Sequence, residues 1–293
     1  MLTDAHCHPA DLARLFPGAE GERRRLGIAC ASSSSTLEEF EFCEGLAREA
    51  LAAGAAPLLP CFAAHPQLPL RIAQRGALGA GAGGGHGEAC GGAGGGALGG
   101  GLGESLDALR MLAREGRLAA VGETGFDLFG AAFRETEKAQ DALFGAHVEA
   151  ALRHGLPVVI HARRAMHKIF ANAAALRKCR AVVFHSWPGL LGEGEALLRR
   201  GVNAFFSFGA IVALSHREAM RCCALFPADR LLAETDAPYQ PLRRAERGFS
   251  SHSDLPLVLK AMAALRREAG SECASAGELE KAAEANFRAA FGL

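Results

Sequence analysis

Eight short apolar runs recur along the chain, at residues 2–6, 26–31, 58–63, 119–123, 157–161, 181–185, 202–208 and 230–236. Most are rich in β-branched residues, and segments of helical periodicity separate most of them. The helical candidates are 37–51, 105–114, 135–154, 166–178, 194–200, 215–225, 255–268 and 278–291, the first of them with Thr36 as its N-cap. Strands that alternate with helices pair in parallel, because a parallel neighbour is reached only through a crossover. Eight such units within 293 residues predict an α/β fold, a single closed (β/α)8 barrel of the TIM type over 1–293. An open, doubly wound sheet is the second choice. It would carry a glycine-rich phosphate turn after its first strand, where this chain has His6-Cys7-His8.

Lys+Arg and Asp+Glu number 32 each, so the net charge is zero. A protein that coats nucleic acid or anionic lipid carries a basic excess, which leaves only local contact with nucleic acid open. No apolar run approaches the ~20 residues of a membrane helix. The opening MLTDAHCHPADL has neither the charged nor the apolar region of a signal peptide. Nine cysteines, odd in number and never spaced C-x-x-C, fit free thiols in a reducing cytoplasm. These features predict a cytoplasmic protein with no membrane attachment and no obligate protein partner. Residues 76–103 are mostly Gly and Ala, too poor in large apolar side chains to offset their ordering entropy. They read as a flexible loop inserted after the third strand. His86, Glu88 and Cys90 within it have metal-binding spacing, but nothing nearby holds them in place.

In a barrel of this kind, catalytic groups sit at the C-terminal ends of the strands. Five of the predicted strands end in ligand-type residues: His6-Cys7-His8, Gly122-Glu123, Ile160-His161, Phe184-His185 and Glu234-Thr235-Asp236. Side chains alternate along a strand, so His6 and His8 project together, about 7 Å apart along the backbone. Cys7 then points to the opposite face and packs against a helix. Four imidazoles and two carboxylates exceed what one tetrahedral ion requires. Two ions ~4 Å apart, bridged by one carboxylate, would use the whole set.

Stretches in order along the chain carry a family resemblance: DAHCH at 4–8, AAHP at 63–66, VGETGFD at 121–127, LPVVIHAR at 156–163, FHSWPG at 184–189, LLAETDAPY at 231–239 and ANFRAAFG at 285–292. In these motifs the chain resembles the TatD family of metal-dependent hydrolases, within the amidohydrolase-like barrels. The resemblance implies a metal-dependent deoxyribonuclease acting on DNA ends or another phosphate ester. It assigns His6, His8 and Asp236 to a first ion, His161 and His185 to a second, and Glu123 to the bridge. Zn²⁺, Mn²⁺ and Mg²⁺ all suit such ligands. Asp236 would take the proton of the attacking water if its second oxygen is free, and Glu234 and Asp4 would fix imidazole tautomers.

Substrate contacts are expected from His65 after the third strand and from Arg163, which shares the direction of His161. Arg243, Arg244 and Arg247 would position phosphate, and Trp187 would stack on a base or pack at the mouth. The chain departs from the family pattern on the substrate side. Residues 248–253 read GFSSHS where the family commonly has Arg-Asn-Glu-Pro, Arg164 stands for an Asp, and Trp187 for a Phe. Two other functions use the same residues: ester or amide hydrolysis, such as deacylation of aminoacylated tRNA, and a non-catalytic binding barrel that keeps metals for stability. Arginines beside the site favour phosphodiester cleavage over the first. Ligand types kept at all six positions speak against the second.

Overall fold

The structure, a computed structural model, describes residues 1–80, 101–214, 216–242 and 246–293. Its strands are β1 (Thr3–Cys7), β2 (Ala29–Ser32), β3 (Leu58–Phe62), β4 (Ala120–Asp127), β5 (Val158–Arg163), β6 (Val182–Phe184), β7 (Ala204–Phe208) and β8 (Leu231–Ala233). They form one sheet in chain order, and every adjacent pair is parallel. The last strand returns to the first. Asp236 N donates to His6 O at 3.0 Å and His8 N to Ala237 O at 2.7 Å. The buried Asp4 carboxylate ties the same seam, accepting from Thr235 N at 2.9 Å and from Thr235 Oγ1 at 2.6 Å. This closure gives the expected barrel and excludes the open sheet.

The barrel interior holds one layer to which every strand contributes: Ala5, Ala29 and Ala31, Cys61, Ala120, Val159, Val183, Phe205 and Leu232. Phe287 and Phe291, on the helix Ala276–Phe291, plug its bottom, their ring centroids 4.8 Å apart. Small residues on β1, β2 and β4 are balanced by large ones on β7 and β8 in this layer. The other face of the strands meets the helices in a larger cluster that includes Val121, Phe126, Ile160, Phe184, Phe206 and Leu231.

Two departures from regular pairing aim the functional side chains. Along β4, Val121 and Phe126 both belong to the outer cluster although they stand five positions apart, an odd offset that regular alternation would put on opposite faces. The register of β4 against β5 shifts between Val121 and Thr124, which turns Glu123 and Asp127 inward. A similar shift between Asp4 and Cys7 lets Ala5 line the interior while Cys7 packs outward with Leu12, Cys30 and Cys43, as expected for Cys7. The β4 shift needs glycine. A Cβ on Gly125, where φ is 137°, would lie 1.9 Å from His161 O, and one on Gly122 would lie 2.5 Å from Val159 Cβ. The two glycines therefore press β4 against β5 at the level of the site.

Several boundaries differ from those expected. Helices Pro9–Leu15 and Ala19–Leu26 fill the β1–β2 crossover, and Leu26 closes the second instead of opening a strand. These helices are short, and the second carries five charged side chains in eight residues, so neither shows a clear apolar stripe. Helix Leu68–Ala80 runs into the segment read as a loop, and helix Leu102–Arg114 begins within it. Residues 81–100, with His86, Glu88 and Cys90, lie outside the described residues. Thr36 caps helix Leu37–Ala52 in a reciprocal capping box with Glu39. All cysteines among the described residues are free thiols, and no described helix is long and apolar enough to cross a membrane.

The close approach of β4 to β5 is testable. Gly125→Ala should destabilise the protein by at least ~3 kcal/mol in urea unfolding. Gly145→Ala, on an open helical face with nothing within 4 Å, should stabilise it by ~0.5–1 kcal/mol. Equal effects at the two positions would contradict the strand packing described.

Candidate metal centre

The expected residues converge at the C-terminal mouth of the barrel. His6 Nε2 and His8 Nε2 lie 3.1 Å apart. His6 Nε2 is 3.3 Å from Glu123 Oε2 and 3.6 Å from Asp236 Oδ1, and His8 Nε2 is 3.7 and 3.4 Å from the same two oxygens. The other oxygen of Glu123 faces a second set. Glu123 Oε1 lies 2.8 Å from His161 Nδ1, 3.0 Å from His185 Nε2 and 3.3 Å from His65 Nε2. His161 Nδ1 and His185 Nε2 are 3.4 Å apart. Glu123 thus carries one oxygen into each of two donor sets.

The spacing and chemistry fit divalent cations. Two ligands each ~2.1 Å from a tetrahedral ion stand ~3.4 Å apart, which is the separation seen in both sets. Four buried carboxylates, on Glu123, Asp127, Glu234 and Asp236, surround the imidazoles. With neutral imidazoles this would leave uncompensated buried negative charge, which a cation relieves. The imidazoles are also oriented. His185 Nδ1 faces Glu234 Oε1 at 3.3 Å, and His161 Nε2 faces Asp127 Oδ2 at 3.6 Å. A proton kept on those outer nitrogens leaves the inner lone pairs toward the site.

Titration follows the same field. Burial alone would raise the Glu123 carboxyl, yet His185, His65, His6 and His161 hold it well below the usual carboxylate range. Burial opposes charge on His185, and Glu123 and Glu234 override it to raise that imidazole well above its ordinary value. Against burial, His161 and Gln67 hold Asp127 at about 2.

Other expectations fare differently. Glu234 stands behind His185 as anticipated, but Asp4 ties the barrel seam and touches Thr235 instead of orienting a ligand imidazole. Asp4, Cys7 and His252 also lie within 4.8 Å of one another. Asp4 is already occupied by Thr235, and the thiol of Cys7, which donates to Cys30 and is buried, is held well above its usual range. Trp187 is not open for stacking on a base and takes the other role expected of it, packing: it is 1% exposed and wedged against Phe184, Phe206 and Phe226. Arg247 is not a free phosphate contact either: its Nη2 meets Asp254 Oδ1 at 2.6 Å and its Nε donates to Phe249 O, which braces its loop. Arg243 and Arg244 lie outside the described residues. Arg163 stands exposed at the rim beside Phe129.

Residues not singled out in the sequence complete the surroundings. Asp127 lies four residues beyond Glu123 on the same face, a spacing visible in GETGFD. Gln67 Nε2 donates to Asp127 Oδ2 at 2.7 Å, and Gln140 brackets the Asp127 backbone through both of its amide atoms. Gln240 Nε2 donates to Asp236 Oδ2 at 2.7 Å and to Ser186 Oγ at 2.8 Å. His147, buried on the helix Glu137–His154, accepts Ala64 N at Nε2 and so fixes the turn that presents His65. No local pattern marks Gln67, Gln140 or His147, because their partners are distant in sequence, whereas Gln240 lies only four residues beyond Asp236.

Burial pulls the His147 imidazole from 6.5 down to about 4. The unfolded chain therefore takes up this proton first as pH falls. The stability contributed is complete above 6.5 and lost between 6.5 and 4. Urea unfolding should show ~3 kcal/mol of acid-dependent loss over that window that His147→Gln lacks. Parallel pH profiles for the two proteins would contradict a buried neutral imidazole.

Comparison with known proteins agrees with this geometry. The family described as TatD related DNase matches residues 3–292. A protein of Erwinia tasmaniensis named 3'-5' ssDNA/RNA exonuclease TatD is 34% identical over 201 residues, 65% of this chain and 72% of that protein. The uncharacterized metal-dependent hydrolase YjjV of Escherichia coli is 31% identical over 168 residues, 56% of this chain and 62% of its own length. The crystal structure of YjjV covers 100% of this chain with 98% of its own, at a TM-score of 0.71 and 24% identity. A TatD family protein of Entamoeba histolytica superposes at a TM-score of 0.69 and 14% identity, over 98% of this chain and 96% of its own. With the match running from the start of β1 to the last turn of the C-terminal helix, the chain belongs to the TatD family of DNase-related, metal-dependent hydrolases.

Proposed function

We propose that this protein is a two-ion phosphodiesterase that trims the ends of single-stranded nucleic acid. The observation that carries the reading is the Glu123 carboxylate, whose two oxygens each face a separate set of imidazoles. The name of the Erwinia relative supports the substrate class. His6, His8, Asp236 and Glu123 Oε2 would hold one divalent ion. Glu123 Oε1, His161 and His185 would hold the other. Such a pair lowers the pKa of a water lying between its members and neutralises charge that builds on phosphoryl oxygens.

The chain's own residues supply the rest. Asp236 Oδ2 accepts one hydrogen bond from Gln240, and its remaining lone pair would take the proton of the attacking water. Gln240 also keeps that carboxylate from turning away from the site. His65 accepts Gln67 N at Nδ1, so its neutral tautomer carries the proton on Nε2. It therefore donates into the site, to Glu123 or to a nonbridging phosphate oxygen, and does not serve as a third ligand imidazole.

A 5′-labelled single strand incubated with Mn²⁺ or Mg²⁺ should shorten progressively on a gel. His161→Ala should abolish shortening, lower bound metal from two ions to one by mass spectrometry, and leave the circular dichroism spectrum intact. An intact strand beside a cleaved aminoacyl ester would favour the deacylase instead. Two ions retained in the variant would contradict the assignment of His161.

A further inference from the structure

Phe129 follows β4 at the catalytic rim, its backbone N donating to Asp127 Oδ1 at 3.1 Å. The ring is 43% exposed in a protein whose phenylalanines are mostly buried. Phe42, similarly exposed, lies on the helix Leu37–Ala52. Two guanidiniums meet the Phe129 ring, Arg163 Cζ at 3.8 Å from its centroid and Arg164 Cζ at 4.6 Å. Both arginines are exposed, and neither guanidinium forms an ion pair or hydrogen bond among the described residues. That sets them apart from Arg247, neutralised by Asp254, and from Arg134, which donates to Leu128 O.

Two unneutralised cations on one aromatic ring repel each other unless an anion lies between them. The location narrows the anion. Arg163 is two residues beyond His161 on β5, so its side chain emerges about 7 Å along the strand from that imidazole. Asp127 connects the two, with Oδ2 toward His161 and Oδ1 on the backbone of Phe129. An exposed ring with adjacent arginines is the combination that holds unpaired bases and their phosphates. Bases paired in a duplex keep their faces stacked on one another and offer none to the ring.

We propose that Phe129, Arg163 and Arg164 form a subsite for the unpaired nucleotide next to the scissile phosphate, its base against the ring and its phosphate across the two guanidiniums. The inference rests on the single-strand phosphodiesterase reading above and specifies how that strand is gripped. Phe129, Arg163 and Arg164 act here as positioning residues.

The test compares wild type, Phe129→Ala, Phe129→Trp and Arg163→Ala/Arg164→Ala on three substrates. These are a single-stranded oligonucleotide, the same strand with an abasic position walked inward from each end, and bis(p-nitrophenyl) phosphate. Phe129→Ala should lose at least ~5-fold more in kcat/KM on the strand than on the small ester, mainly through KM. Phe129→Trp should recover most of the loss. An abasic site at one position should slow wild type as much as Phe129→Ala does, and should slow Phe129→Ala no further. The double arginine variant should bind the strand with a salt dependence shallower by up to ~1.4 in log–log slope. Equal losses on strand and ester, or an abasic penalty unchanged in Phe129→Ala, would overturn the subsite alone. A wild type that cleaves the ester but no strand would overturn the subsite together with the reading on which it rests.

Discussion

One buried carboxylate organises this molecule. Glu123 is 4% exposed and lies within hydrogen-bonding or ion-pairing distance of His6, His8, His65, His161 and His185, which come from four separate strand ends. A charged group that deep is tolerated only with partners on both oxygens, so the barrel mouth has to bring those strand ends to one point. The β4 register shift and the glycines that permit it serve this placement. Regular alternation would leave Glu123 on the face of Val121, against the helices. The same requirement explains why β4 and β5 approach so closely at Gly122 and Gly125.

The fold divides its tasks by height. The alanine-rich interior layer and the Phe287–Phe291 plug lie below the site and supply packing. Asp4 closes the ring between the first and last strands. Above that seam, carboxylates, an amide and an imidazole direct the inner residues: Asp127 behind His161, Glu234 behind His185, Gln240 on Asp236 and His147 beneath the turn of His65. Beyond them the rim is formed by loops. Under the proposed function, cleavage would rest on rigid strand ends and strand recognition on the loops above them.

Much of this was legible from residue order. Alternation of apolar runs with helical segments yielded the barrel, and ligand-type residues recurring at strand ends identified the six that meet. Long-range partners were hidden. Gln140 and His147 sit in a helix whose sequence shows only periodicity, while Gln140 pairs with the backbone of Asp127 on β4 and His147 accepts from Ala64 N after β3. Sequence left Trp187 between two roles and offered Arg247 as a phosphate contact for a related reason: proximity in sequence to a ligand or to a cationic cluster does not indicate burial. The aromatic cluster under β6 and the buried Asp254 decide those two side chains, and neither is visible without the fold. Asp127 was within reach, since it repeats the face of Glu123 along β4.

The most direct measurement is anomalous scattering from crystals grown with Mn²⁺. The account predicts two peaks flanking Glu123, one among His6, His8 and Asp236 and the other between His161 and His185. A single peak on one side of Glu123, or peaks away from it, would contradict the shared carboxylate on which the account depends.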